Sequence, residues 1–374
     1  MAEARRELSR DERIDWLRLA RSENVGPATF FALMRHFGSA AEAIARAPGL
    51  SVQGGRSRPI RIAPRAEAER EIEAVEGAGA RLIAWGEPAY PEPLAAIHDP
   101  PPLIAVAGHA HLLSARTVAV VGARNASAAG RRFAHDISSA LGRAKLVVVS
   151  GLARGIDAAA HEGALATGTV AVVAGGIDVA YPPENAALQE RIAQEGALLS
   201  EQPFGTRPIA QHFPRRNRLI SGLSLGVLVV EAAQRSGSLI TARMALEQGR
   251  EVFAVPGSPL DPRCRGCNEL IRKGAVLTEQ AGDVLDALDG ILSRPLGEPG
   301  HTGFRPREPE IPEESELARA RPAIVEALGP TPVTVDEVVR QCQLSAAVAI
   351  TVLLELELAG RLERHPGNKV SLIL

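Results

Sequence analysis

The stretch from Thr117 to Leu165 constrains the fold more than any other part of the chain, because it carries the same local pattern twice. An apolar, β-branched run (Thr117 to Val121) breaks at Gly122. A loop of small residues with Arg124, Asn125 and Ser127 follows, then a helical pattern from about Ala129 to Leu141. A second apolar run (Leu146 to Val149) meets Ser150 and Gly151, a glycine-rich loop with Arg154 and Gly155, and a helix predicted to open at Asp157, a favoured N-cap residue. Two strand, loop, helix units in tandem predict an α/β fold built on a doubly wound, mainly parallel sheet. Such a sheet sets both loops side by side at the carboxyl ends of its strands, where backbone N–H groups and helix N-termini attract anions. Phosphate is the ligand this arrangement suits.

The alternation continues downstream. Thr169 to Ala174, Ala197 to Ser200, Val227 to Glu231 and Glu251 to Val255 read as strands, with helices expected near 185–194 and 239–248. Upstream, Arg81 to Trp85 reads as an edge strand, and PPPLIAVAGH as a further extended piece laid against the sheet.

At 374 residues the chain is long enough for several domains. Residues 1–64 read as a helical module, helix, V-G-P turn, helix, of helix-hairpin-helix or sterile-alpha-motif type, followed by a linker or exposed loop from Pro48 to Pro64. The α/β core spans 65–292. The segment 293–315 is a Pro/Gly-rich linker, and 316–374 carries three short helices and a β-hairpin, the order of a winged-helix domain. A net charge of −2 excludes a wholesale polycation, so any nucleic-acid contact must come from local patches. The polar amino terminus and the lack of a long apolar run predict a soluble, cytoplasmic chain with no membrane partner. Three cysteines make no disulfide framework; Cys264 and Cys267 form a C-x-x-C that lacks the further ligands of a zinc site, so no metal and no cofactor are expected.

Charge is unevenly spread along the core. Between Asp99 and Asp136 there is no acid, while Arg116, Arg124, Arg131 and Arg132 all occur; a second acid-free run from Glu201 to Glu231 holds Arg207, Arg215, Arg216 and Arg218. Arginine on strand-end loops suits bidentate phosphate contact. Ser236-Gly237-Ser238 precedes a helix and can cap it, hold a phosphate, or both. Asp157 and His161, spaced i and i+4, suggest acid/base work, although a cap plus a buried, hydrogen-bonded histidine accounts for the same spacing. No P-loop, G-x-G-x-x-G, G-x-S-x-G or H-E-x-x-H pattern is present, so no catalytic residue is assigned.

The blocks VAVVGARNASAAG, VVSGLARGIDAAAHEGAL, TVAVVAGGIDVAYPPEN, LLSEQPFG, HFPRRNRLISGLS, VLVVEAAQRSGSLITARMALEQGREVFAVPG and NELIRKGA are collinear with, and resemble, the DNA-processing protein A family, also called DprA or Smf. The resemblance covers roughly Leu94 to Val284. It implies a Rossmann-like core that binds single-stranded DNA without cutting it, protects incoming strands and, as a homodimer, loads a RecA-type recombinase onto them during natural transformation. Carried over by position, the binding residues are Gly122, Arg124, Ser127, Ser150, Gly151, Arg154, Arg216, Asn217, Arg218, Ser236, Gly237 and Ser238. One departure stands out: many family members carry a basic residue just after the Tyr-Pro turn, where this chain has Pro183-Glu184. Phe133, Tyr181, Phe204 and Phe213 are the local candidates for stacking on bases.

Two rival readings come from other classes. One is a Rossmann-like nucleoside-monophosphate phosphoribohydrolase of the lysine-decarboxylase-like group, but no glutamate falls at the required offset after Gly237. The other is a transcription regulator acting through the winged helix. The presumed recognition helix, SAAVAITVLLELELAG, holds Glu355 and Glu357 and no Lys or Arg, so it is expected to face a partner or dimer surface instead of DNA, its apolar positions serving that surface or the domain's own core.

Overall fold

The computed structural model describes residues 6–292, 312–365 and 367–373. Most of the expected linker, as far as residue 311, lies outside the described residues. The chain divides into two compact units, one containing residues 71–292 and the other formed by 8–70 together with 312–373.

The amino-terminal module consists of α1 (Arg10–Ala20), α2 (Pro27–Phe37) and α3 (Ala40–Gln53), followed by α4 (Arg65–Gly77). Ser9 and Glu12 form a capping box at α1, and Gly38, in the left-handed region at φ 77°, ends α2. The stretch expected as linker from Pro48 starts inside α3, which continues through that proline to Gln53.

The α/β unit is a nine-stranded sheet: β1 (Ala80–Ala84), β2 (Leu103–Gly108), β3 (Thr117–Gly122), β4 (Val147–Ser150), β5 (Thr169–Val172), β6 (Ala197–Ser200), β7 (Gly226–Val230), β8 (Glu251–Ala254) and β9 (Val276–Leu277), in the order β1-β2-β6-β5-β4-β3-β7-β8-β9. From β6 to β9 every pairing is parallel, while β1 and β2 pair antiparallel at one edge. The helices are α5 (Glu92–Ala95), α6 (Ala128–Arg143), α7 (Ile156–Ala164), α8 (Ala186–Glu195), α9 (His212–Leu223), α10 (Gly237–Glu247), α11 (Arg265–Arg272) and α12 (Ala281–Leu292).

The central strands read as unbroken apolar runs because both sheet faces are covered. Along β3, Ala119 and Val121 point into a core shared with Leu219 and Ile220 of α9 and Ala242 of α10; Val118 and Val120 point into the opposite core, with Ile137 and Leu141 of α6. The strand order reverses between β3 and β7, so the loops after these two strands part and leave a crevice, the usual ligand position in an open α/β sheet.

The carboxy-terminal part is a winged-helix domain: α13 (Glu314–Ala327), α14 (Val335–Cys342) and α15 (Ala346–Leu358), with β10 (Val333–Thr334), β11 (Leu362–His365) and β12 (Lys369–Leu372) in one small sheet. No single helix among the described residues is long and apolar enough to cross a membrane.

Candidate functional site

Two chambers open at the carboxyl ends of the parallel strands. The smaller, about 230 Å3, is lined by Arg124, Gly151 to Arg154, Ala174, Tyr181 to Glu184, Phe213 and Arg216. The larger, about 610 Å3, takes in Gly122, Asn125, Asn217, Arg235, Ser236 to Ser238 and Arg263, and shares Arg124, Ala153, Phe213 and Arg216 with the first. The shared residues are the partition between them.

Arg216 is the centre of that partition. Helix α9 carries it inward until only 6% of it is exposed. Its Nε–H is buried without a hydrogen-bond partner among the described residues. Its guanidinium lies over Gly151, where a Cβ would be 1.4 Å from Nη1. Burial pulls the Arg216 pKa down to about 10, with Asp157 opposing the shift and Arg124 adding to it, so the group is a cation at neutral pH. A buried cation with an open donor is a strong demand for an anion.

Asp157 supplies only part of that demand. It is the second residue of α7, whose N-cap is Gly155 at φ 82°, so the cap expected at Asp157 lies two positions earlier. Its carboxylate turns back to accept the amides of Gly151 (3.2 Å) and Ala153 (3.4 Å), shaping the loop under Arg216. Burial pushes its pKa up, and Arg216 and those amides oppose the rise. His161 is a core histidine. Thr169 Oγ1 donates to the Val148 carbonyl (2.8 Å) and so receives the His161 Nδ1–H (2.7 Å), while burial drives the ring pKa down to about 3. Acid/base work has no footing in this pair, since His161 lines neither chamber and Asp157, at the wall of the larger one, is tied to the loop amides.

Around the partition the side chains fall into two kinds of surface. In the smaller chamber the Tyr181 and Phe213 rings lie 5.7 Å apart, tilted by 53°, and the Arg124 guanidinium lies 5.0 Å from the Phe213 ring centre. Arg154 stands at this rim 3.5 Å from Glu184, so the acid after the Tyr-Pro turn balances a cation there. In the larger chamber, exposed Arg235 and the start of α10 face Arg124, and Ser236 Oγ caps that helix through the Ser238 amide. Asn217 reaches across to the Gly237 carbonyl at 3.4 Å. Gly122 is required by packing, because a Cβ there would lie 1.9 Å from the Val230 carbonyl oxygen.

Three of the expected site residues are placed elsewhere. Arg218 is two positions from Arg216 on α9, roughly 200° around the helix, and cannot share its face. It is 7% exposed and bound to the Asp99 carbonyl and to Glu201, each at 2.5 Å. Ser150 is fully buried and donates to the Val120 carbonyl at 2.6 Å, stitching β4 to β3 below the loops. Ser127 caps α6 through the Gly130 amide, and its own amide and hydroxyl both donate to Glu231, at 2.8 and 2.5 Å. A carboxylate therefore occupies the helix N-terminus where a phosphate was expected. Of the aromatic candidates, Phe133 packs into the core and Phe204 lines neither chamber.

Sequence reasoning passed over Arg235, Arg263 and the positioning role of Glu231. Arg235 lies within the loop already singled out, whereas Arg263 comes from the distant segment before α11, where it forms a fork with Asp261 and no local pattern marks it. Glu231 sits in the left-handed region at φ 53°, an uncommon conformation for a glutamate and a mark of a fixed role. Among the described residues no cluster of His, Cys, Asp and Glu can hold a metal ion. Burial raises both C-x-x-C thiols, Cys267 up to about 12.

The family model described as DNA recombination-mediator protein A matches residues 81–289, that of a DprA-like N-terminal HHH domain 10–74, and that of a DprA winged helix domain 307–368. Protein Smf of Escherichia coli strain K12 is 39% identical over 312 residues, which cover 83% of this chain and 82% of that protein. Protein Smf of Synechocystis is 32% identical over 405 residues, covering 97% of this chain and 99% of that one. Among solved structures, that of DNA processing protein A from Streptococcus pneumoniae superposes with a TM-score of 0.61 at 36% identity, covering 75% of this chain and 98% of that chain. One described as showing the single-stranded DNA binding mode of DNA processing protein A from Helicobacter pylori gives 0.50 at 30% identity, covering 57% and 95%.

Proposed function

Because the chain belongs to the DNA recombination-mediator protein A family, a family of DNA-processing mediators and not of enzymes, we propose that its two-chambered groove binds single-stranded DNA. The observation that carries this reading is Arg216: a buried guanidinium with an unbonded Nε–H between an aromatic chamber and an arginine-ringed one. Phosphates would lie in the larger chamber against Arg124, Arg216, Arg235 and the α10 N-terminus. One base would enter the smaller chamber against Tyr181 and Phe213. Only an unpaired base can leave its stack to do so, which selects single strands over duplex, and stacking on ring faces is tolerant of sequence.

The finer steps rest on the same reading. The bound strand is protected and handed to a RecA-type recombinase in the cytoplasm during DNA uptake, and the protein acts as a homodimer. In support of self-pairing, β9 ends the sheet with an outer edge unpaired among the described residues, and Leu277 on it is 46% exposed. Against the phosphoribohydrolase alternative, the carboxylates at the site are engaged: Asp157 by loop amides, Glu231 by Ser127 and Glu184 beside Arg154.

Fluorescence anisotropy of a labelled single-stranded oligonucleotide, at two salt concentrations and with duplex and AMP as competitors, tests the proposal. Single strand should win over both competitors and weaken with salt, the slope of log K against log salt falling by about 0.7 for each phosphate contact removed by mutation. AMP that binds and is hydrolysed, with no oligonucleotide binding, would replace this function with the enzyme.

A further inference from the structure

Helix α15 occupies the position from which a winged-helix domain reads the major groove, yet two of its sides are covered. On one side Val348, Val352 and Leu356 pack with Leu317, Ile324 and Val338 in the domain's own core. On another, Leu354 and Leu358, 1% and 0% exposed, are sealed in a separate cluster with Leu19, Phe30 and Leu33 of the amino-terminal module.

Polar contacts run along the same seam. Thr29 Oγ1 donates to Glu357 Oε1 at 2.8 Å, Asn24 Nδ2 to the Leu358 carbonyl at 3.0 Å, and Arg361 Nη1 to the Gly54 carbonyl at 3.2 Å. The backbones themselves touch: a Cβ on Gly54 would lie 2.1 Å from the Glu355 carbonyl oxygen. The Glu355 side chain, fully buried, is gripped by the Arg321 fork at 2.7 and 2.8 Å. What remains exposed on α15 is Ala346 and Ile350, and the preceding Ser345 hydroxyl caps the helix at the Val348 amide. Base edges are read by hydrogen bonds and phosphates by cations, and this surface offers neither.

We propose that the partner of this recognition helix is the chain's own amino-terminal module, and that the two terminal modules fold and act as one body that reads no duplex DNA through α15. The turn between α1 and α2, the part of that module shaped to approach another backbone, is held through Asn24 by the Leu358 carbonyl, and the first turn of α2 through Thr29 by Glu357. The pairing joins elements from opposite ends of the sequence, and its apolar, closely packed character is that of a permanent contact.

Hydrogen exchange by mass spectrometry on the full chain tests the pairing, comparing wild type with Leu358→Ala and Thr29→Val. Each variant should speed exchange on both sides of the seam, in 24–37 and in 350–358, while β3, β4 and single-strand affinity stay unchanged. Faster exchange confined to the mutated side in both variants would show two independent modules and overturn the proposal. Duplex affinity should stay within about twofold of wild type in Ile350→Glu; a loss of tenfold or more would show that α15 reads DNA after all.

Discussion

The guanidinium of Arg216 and the Cα of Gly151 touch so closely that a methyl group on the glycine would lie 1.4 Å from Nη1. The second glycine-rich loop is therefore a bed for an arginine contributed by a helix some sixty residues later in the chain, and the phosphate donors proposed for the groove depend on that contact.

Gly151→Ala should displace Arg216 and lower single-strand affinity tenfold or more. Overpacking would also cost about 1 to 3 kcal/mol of stability. Anisotropy with thermal denaturation separates the two effects; unchanged affinity would mean that Arg216 takes no part in binding.

Arg124 and Arg218 should part company. Arg124→Ala removes an exposed cation from both chambers, so it should weaken binding and flatten the salt slope with little change in Tm. Arg218→Ala leaves Glu201 partly buried without its guanidinium, so it should destabilise by about 3 kcal/mol and leave the salt slope as in wild type. A flattened slope in Arg218→Ala would return that residue to the groove.

His161 makes stability depend on pH in a stated direction. Its folded pKa, about 3, lies below the ordinary value of 6.5, so the unfolded chain binds the extra proton between them. The contribution is complete above pH 6.5 and declines as pH falls towards 3, by up to about 1.4 kcal/mol per pH unit. Denaturant titrations of wild type and His161→Phe from pH 7 to 4.5 should diverge, with wild type losing more; parallel curves would place the acid sensitivity elsewhere.

Glu231→Ala removes the acceptor for the Ser127 amide and hydroxyl. A cost of about 1 to 3 kcal/mol is expected. The loop that carries Arg124 also loses its anchor, so affinity should fall about threefold to tenfold. A lower Tm with unaltered affinity would make Glu231 a stabilising residue only.

Local chemistry sufficed for much of this. The runs at Thr117 and Leu146, the breaks at Gly122 and Gly151 and the spacing of the helices determined a doubly wound sheet with two loops at one edge, because strand and helix periodicities and glycine backbone freedom are properties of neighbouring residues. Arg124, Arg216, Asn217 and Ser236 to Ser238 were legible as candidate anion ligands for the same reason, and the structure gathers them around one crevice.

Only tertiary structure decided which way each side chain faced once helices and sheet had packed. Arg216 and Arg218 are equivalent in sequence, but α9 has one side towards the crevice and the other towards Glu201, and a two-residue step on a helix separates them. Ser127 reads as a phosphate ligand in sequence, but Glu231, just past the end of β7 and far along the chain, supplies the carboxylate that binds it. The partner of α15 came from the opposite end of the sequence, because burying the apolar Leu354 and Leu358 requires a complementary surface that no local pattern specifies.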